Sequence, residues 1–243
     1  MRKHHIDQDR VAELVERCTR EVNEGLLPSC QLAIGFKGEI VHDETIGDEL
    51  PEARYCFFSA TKPFVAATVW QLLSENSLEL KAPISDLIPE FAENGKADIT
   101  LEQVLLHTAG FPHAPMGPDV WSDSESRRKR MADWRLNWEP GSRYEYHATS
   151  AHWVLAEVVR VVTGNSHTDE VHSRVTEPLG IPRVLGLGLD QQTQMADLTL
   201  CEGEASPDEL EAVFGVREMP PSEVTDETII RFNDPHTREG GVT

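Results

Sequence analysis

The chain has 243 residues, 39% hydrophobic and 26% charged, long enough for one large domain or two smaller ones with a sizeable core. Acidic residues outnumber basic ones 42 to 22, and the resulting formal charge of -20 repels a phosphate backbone, so nucleic acid is not an expected partner. No stretch approaches the ~20 apolar residues of a membrane span, and no apolar run follows the charged first residues; the chain reads as cytoplasmic, without a membrane partner.

In chain order, Gln8 to Asn23 places Val11, Leu14, Val15 and Cys18 at helical spacing, and Asn23-Glu24-Gly25 supplies a stop. Two apolar-rich runs, Ser29 to Phe36 and Glu39 to Ile46, flank Lys37-Gly38 and predict a tight β-hairpin. A short third strand is expected from Arg54 to Phe58. From Ala60 to Ser74, Phe64, Val65, Val69, Trp70, Leu72 and Leu73 surround the helix instead of lining one stripe, which predicts a central helix buried on most sides. Thr100-Leu101-Glu102-Gln103 is a capping box for a helix that Gly110 ends. The charged stretch Trp121 to Trp138 predicts irregular chain with helical pieces. Glu139-Pro140-Gly141 is a turn before Ser142 to Tyr146, and Thr149 or Ser150 caps a mostly apolar helix that stops at Gly164. Beyond Cys201 the chain is acidic and poorly periodic. The expected organisation is one domain, with residues 1-75 in a mixed α/β part, 76-200 in a mainly helical part and 201-243 as an acidic irregular tail.

Chemistry-bearing residues are sparse. Cys18, Cys30, Cys56 and Cys201 lack CxxC spacing, so they read as reduced thiols and suggest neither a zinc site nor a disulfide framework. Ten histidines form neither HxxxH nor HExxH, so no metal or other cofactor is expected. The informative stretch is Phe57-Phe58-Ser59-Ala60-Thr61-Lys62-Pro63-Phe64. Proline costs about 3 kcal/mol inside a helix but is tolerated in the first turn, so Pro63 fixes a helix start close to Ser59. Backbone N-H groups there lack helical acceptors and sit at the positive end of the helix dipole, where an oxyanion could be held. The i, i+3 spacing puts Lys62 on the face of Ser59, and a buried ammonium loses its proton more easily. The motif alone leaves two readings open, a catalytic pair or a helix-capping serine beside a surface lysine. Ser126-Arg127-Arg128-Lys129 matches the same spacing in a charged run without a buried helix behind it.

Three segments taken together carry a resemblance: Phe58 to Pro63, then Leu105-Leu106-His107-Thr108-Ala109-Gly110-Phe111, then Glu139-Pro140-Gly141-Ser142-Arg143-Tyr144-Glu145-Tyr146. In this order, across roughly residues 6-190, the chain resembles the class C β-lactamase-like serine hydrolases, a group of serine β-lactamases, D-Ala-D-Ala carboxypeptidases and carboxylesterases. The resemblance implies an α+β fold of the β-lactamase/transpeptidase type, an antiparallel sheet with flanking helices plus a mainly helical subdomain and a pocket between the parts. It implies that Ser59 is acylated, that Lys62 assists its deprotonation, that Tyr146 rather than Tyr144 is a second proton-transfer group, and that His107 is a hydrogen-bonded structural histidine. It also implies a small-molecule ester or amide substrate and no cofactor.

Two departures shape the expectation. The family tyrosine is usually followed two positions later by asparagine, but the run here is Tyr146-His147-Ala148. Ala148 offers no side-chain hydrogen bond, which favours small carboxylic esters over β-lactams or peptides and leaves His147 as a candidate substrate contact. The family's third motif, Lys or His, a variable residue and Gly on a pocket-lining strand, has no match after residue 190; His236-Thr237-Arg238-Glu239-Gly240 has the wrong spacing and reads as loop. The chain therefore reads as truncated before the final strands and closing helix, open to self-association or to complementation by that segment. The alternatives kept beside the esterase are a β-lactamase or carboxypeptidase and a non-catalytic remnant or binding protein.

Overall fold

A computed structural model describes residues 6-200, 205-219 and 224-241. Among them, helices and strands follow in the order α1 (Gln8–Asn23), β1 (Ser29–Phe36), β2 (Glu39–Gly47), α2 (Lys62–Ser74), α3 (Leu101–Leu105), α4 (Ser124–Asp133), α5 (Ser150–Thr163), α6 (His167–Val171), α7 (Pro207–Phe214), α8 (Asp226–Ile230) and α9 (Pro235–Gly240). Short 3-10 turns occupy several of the connections. The mixture of helices and a small antiparallel sheet is the expected α+β class. The described residues divide into two compact units, one within 6-56 and 193-219, the other within 57-192 and 224-241.

The first unit is α1, the hairpin and α7. Asp7 caps α1 by accepting hydrogen bonds from the Asp9 and Arg10 amides, and Gly25, at φ +77°, turns the chain out of it. Strands β1 and β2 pair antiparallel from Ser29 opposite Gly47 to Phe36 opposite Glu39, with a bulge between Ile34 and Gly35. Lys37 and Gly38 both take positive φ, +54° and +83°, the requirement of a hairpin turn that matches strand twist. The third strand expected at Arg54 to Phe58 is absent: Arg54 makes a single parallel bridge to Met195, and a 3-10 turn already begins at Phe58. Its apolar residues imitate a strand, but the backbone must turn within two residues of Cys56 to start the next helix.

The second unit holds a continuous core around α5, in which Ser150 through Val159 are all buried. Against it pack Val65, Val69 and Leu72 of α2, Leu101 and Val104 of α3, Met131 of α4, and the aromatic rings of Phe91, Phe111 and Trp134. The enclosed central helix is thus α5, whereas α2 leaves Trp70 63% exposed. An all-round apolar sequence shows that a helix can be buried, not which one the topology surrounds. Two polar pairings hold this core. Arg127 donates through Nε to Glu157 Oε1 at 2.6 Å while Ser124 Oγ donates to Oε2 at 2.7 Å, so the fully buried carboxylate is satisfied. Lys96, also fully buried, gives its ammonium protons to the carbonyls of Glu93, Ala132 and Trp134, closing the end of α4.

The capping box at Thr100 and Gln103 forms as expected, but α3 ends at Leu105, before Gly110, because His107 turns at φ +57°. Past residue 201, where irregular chain is expected, the described segments form α7, α8 and α9, each opened by a side-chain cap from Ser206, Thr225 or Asp234. The run from His236 to Gly240 lies in α9, neither loop nor strand. Among the described residues no helix is long and apolar enough to cross a membrane.

Candidate active site

The serine segment is built locally. Pro63 stands in the first turn of α2, and a 3-10 turn from Phe58 to Thr61 leads into it. Phe58 adopts φ +42°, a left-handed conformation that costs a side-chain-bearing residue about 1–2 kcal/mol. Its conformation is held by Thr61 Oγ1, which donates to the Phe58 carbonyl at 2.5 Å, and by the ring of Phe232, edge-on at 5.3 Å. The consequence is that Ser59 stands on the outside of the turn, exposed, while Thr61 and Lys62 point inward and are buried.

Lys62 Nζ lies 3.1 Å from Ser59 Oγ, and Tyr146 Oη lies 2.9 Å from the same oxygen. The ammonium also sits 5.3 Å from the centre of the Tyr146 ring. Burial lowers the Lys62 pKa from the ordinary lysine value, and the neighbouring Tyr146 phenol offsets part of that shift. The three residues singled out in the sequence therefore meet at one oxygen. Of the amides near Ser59, those of Ala60 and Lys62 are spent on the carbonyls of Phe57 and Ser59, so fewer N-H groups point outward than a bare helix start implies.

Tyr146 is placed by residues far from it in sequence. The Glu145 amide donates to the His107 carbonyl at 3.2 Å, and the His147 amide donates to His107 Nδ1 at 3.1 Å. The His107 ring packs 4.9 Å from that of Tyr146. On the other side, the Phe111 amide donates to His147 Nε2 at 3.1 Å, while His147 Nδ1 lies 2.6 Å from the Glu145 carbonyl. Because Nε2 accepts, Nδ1 carries the proton, and a second proton would oppose the Phe111 N-H. Burial lowers the pKa of His147, and burial with the nearby His147 and Lys62 lowers that of His107 to about 4. His107 is hydrogen-bonded in the supporting way expected of it. His147 is fully buried with both ring nitrogens committed to backbone, which does not fit the substrate contact expected of it. Gly110 lets the two strands of this loop meet: it takes φ +92°, and a Cβ there would lie 2.6 Å from the Trp138 carbonyl.

The second serine-lysine match is different. Lys129 has a side chain 70% exposed and is paired with Glu125 at 2.6 Å, and the buried residue of that turn is Arg127. Residues that the sequence did not point to are Lys96 and Glu157, fully buried charged groups with partners at least 30 positions away in the chain.

A family model described as Beta-lactamase matches residues 11–211. The chain belongs to the beta-lactamase family. It is 30% identical over 142 residues to esterase EstB of Burkholderia gladioli, covering 51% of this chain and 36% of that protein. It is 29% identical over 126 residues to esterase/beta-lactamase LipL of Mycobacterium tuberculosis, covering 50% of this chain and 28% of that one. Among solved structures, a penicillin-binding protein homologue from Caulobacter crescentus superposes with TM-score 0.71 at 25% identity, over 96% of this chain and 62% of that one. A family VIII carboxylesterase superposes with TM-score 0.75 over 95% of this chain and 63% of that one; at 24% identity it bears on the fold alone. The chain thus spans about a third of the length of the esterases it matches and under two thirds of these structural neighbours.

Proposed function

We propose that the protein is a serine hydrolase that acts through an acyl-enzyme on small carboxylic esters, with Ser59 as nucleophile, Lys62 as its base and Tyr146 as the group that carries the proton onward. The observation behind this reading is the convergence of Lys62 Nζ and Tyr146 Oη on Ser59 Oγ, at 3.1 and 2.9 Å. Burial favours the neutral amine of Lys62, which can take the Ser59 proton as Oγ attacks the ester carbonyl. The tetrahedral oxyanion needs hydrogen-bond donors, and the Ser59 amide, at the open end of the turn, is the candidate among the nearby N-H groups. Tyr146 then delivers a proton to the leaving alkoxide, and water repeats the sequence to release the acid. His107 and His147 act as supports that hold the Tyr146 segment, and neither touches the substrate.

The preference for esters is supported by the names of the matching relatives EstB and LipL and by Ala148, which offers no side-chain hydrogen bond to a substrate amide. The name esterase/beta-lactamase and the penicillin-binding homologue keep a β-lactam acylation as the second reading. Incubation with p-nitrophenyl acetate, with a serine-reactive phosphonate and with a penicillin, each followed by intact mass and peptide mapping, tests both. The ester reading expects acetyl and phosphonyl adducts on Ser59 and none from the penicillin. A penicilloyl adduct on Ser59 without acetylation reverses the preference, and adducts elsewhere overturn the site.

A further inference from the structure

Cys18 of α1 and Cys30 of β1 are neighbours in the first unit, remote in sequence from the serine chemistry. Their meeting follows from two periodicities. Cys18 continues the α1 stripe of Val11, Leu14 and Val15, at i, i+3, i+4 and i+7. Cys30 continues the β1 face of Leu32, Ile34 and Phe36, which alternates with the exposed Gln31, Ala33 and Gly35. Val11 and Leu14 share a groove with Ile34 and Phe36, so the helix stripe lies on that strand face, and Cys18 and Cys30 lie further along the same stripe and the same face. Both thiols are half-buried, within reach of a small reagent. No residue of α1 is buried, so the helix has only this partial packing to hold it to the hairpin.

We propose that Cys18 and Cys30 are a redox site that a small-molecule disulfide converts to an intramolecular bond clamping α1 to β1. One protein thiolate attacks the reagent disulfide and forms a mixed disulfide, releasing one reagent thiol. The second protein thiol gives up its proton and displaces the other reagent thiol, so two protein S-H groups and one reagent disulfide become one protein disulfide and two reagent thiols. Burial, with Cys18 and Glu21 nearby, raises the pKa of Cys30, which suits it to the second, resolving step in preference to the first attack.

The experiment titrates the full chain with oxidised glutathione, natively and in urea, and reads free thiols, intact mass and non-reduced peptide maps. The native chain is expected to lose two of its four thiols and to yield a Cys18–Cys30 peptide, at an oxidised-to-reduced ratio on the order of tenfold above that in urea. The Cys56→Ser, Cys201→Ser double variant keeps the cross-link and Cys30→Ser loses it. Oxidation is expected to slow amide exchange in α1 while leaving that of α5 unchanged. Stable glutathione adducts without the cross-link, pairing with Cys56 or Cys201, or equal yields in native and denatured chain would each overturn the proposal.

Discussion

The chain carries the serine-x-x-lysine spacing twice, at Ser59 and at Ser126, and the two copies differ in everything except spacing. Each begins near a helix start, but Pro63 and the left-handed Phe58 turn Lys62 inward toward the Ser59 oxygen, whereas Lys129 stays in solvent and pairs with Glu125 one turn earlier. In α4 the inward position belongs to Arg127, whose guanidinium is claimed by Glu157. Chemistry at this motif therefore depends on which way the lysine is turned and on whether a carboxylate competes for it. An ammonium held by a neighbouring acid in water has no reason to give up its proton.

The largest effect should come from the serines themselves. Ser59→Ala is expected to abolish phosphonate labelling of the chain, and Ser126→Ala to leave it unchanged; equal labelling in Ser59→Ala, or loss in Ser126→Ala, would reverse the ranking of the two motifs. Next, Lys62→Ala and Tyr146→Phe should each slow labelling or turnover by roughly 10²-fold or more, and the double variant should fall well short of the product, as expected for groups acting on one proton. Additive losses would separate them. Labelling in Lys129→Ala should match the parent.

The two copies also separate what local sequence determines from what only the fold determines. The Ser59–Lys62 pair was legible because its causes are local: a proline at the helix start and an i, i+3 offset. The same holds for the helix from Gln8 to Asn23, the Lys37-Gly38 turn and the capping box at Thr100. Tyr146 was reached only through resemblance, since its position depends on bonds to His107 and on the His147–Phe111 contact, which spans 36 residues. The lost strand at Arg54 and the role of Glu157 were hidden for the same reason: local pattern gives an apolar run or a charge, and only the fold supplies the partner.

The buried polar partners of α4 are tested through stability instead of labelling. Glu157→Ala leaves Arg127 buried without its carboxylate and should cost about 3–5 kcal/mol in denaturant unfolding without moving the label from Ser59. A loss below ~1 kcal/mol would mean that Arg127 finds solvent or another acceptor. Acid should act more gradually. Burial lowers the pKa of His107 and His167 to about 4, of His152 to about 3 and that of His147 in the same direction. Between pH 6.5 and about 4 the unfolded chain therefore binds more protons than the folded one, and the urea midpoint should decline through that window as pH falls. A midpoint that stays level there would show that these imidazoles are charged, or exposed, in the fold.

The central claim is that burial, not spacing, makes Lys62 the base for Ser59. It is tested most directly by the pH dependence of phosphonate labelling at Ser59, measured over the range in which the fold is intact. The rate should rise with pH through a midpoint below the ordinary lysine value of 10.5, as the neutral amine is populated, and Lys62→Ala should lose that limb. A rate independent of pH, or an unchanged limb in Lys62→Ala, would contradict the account.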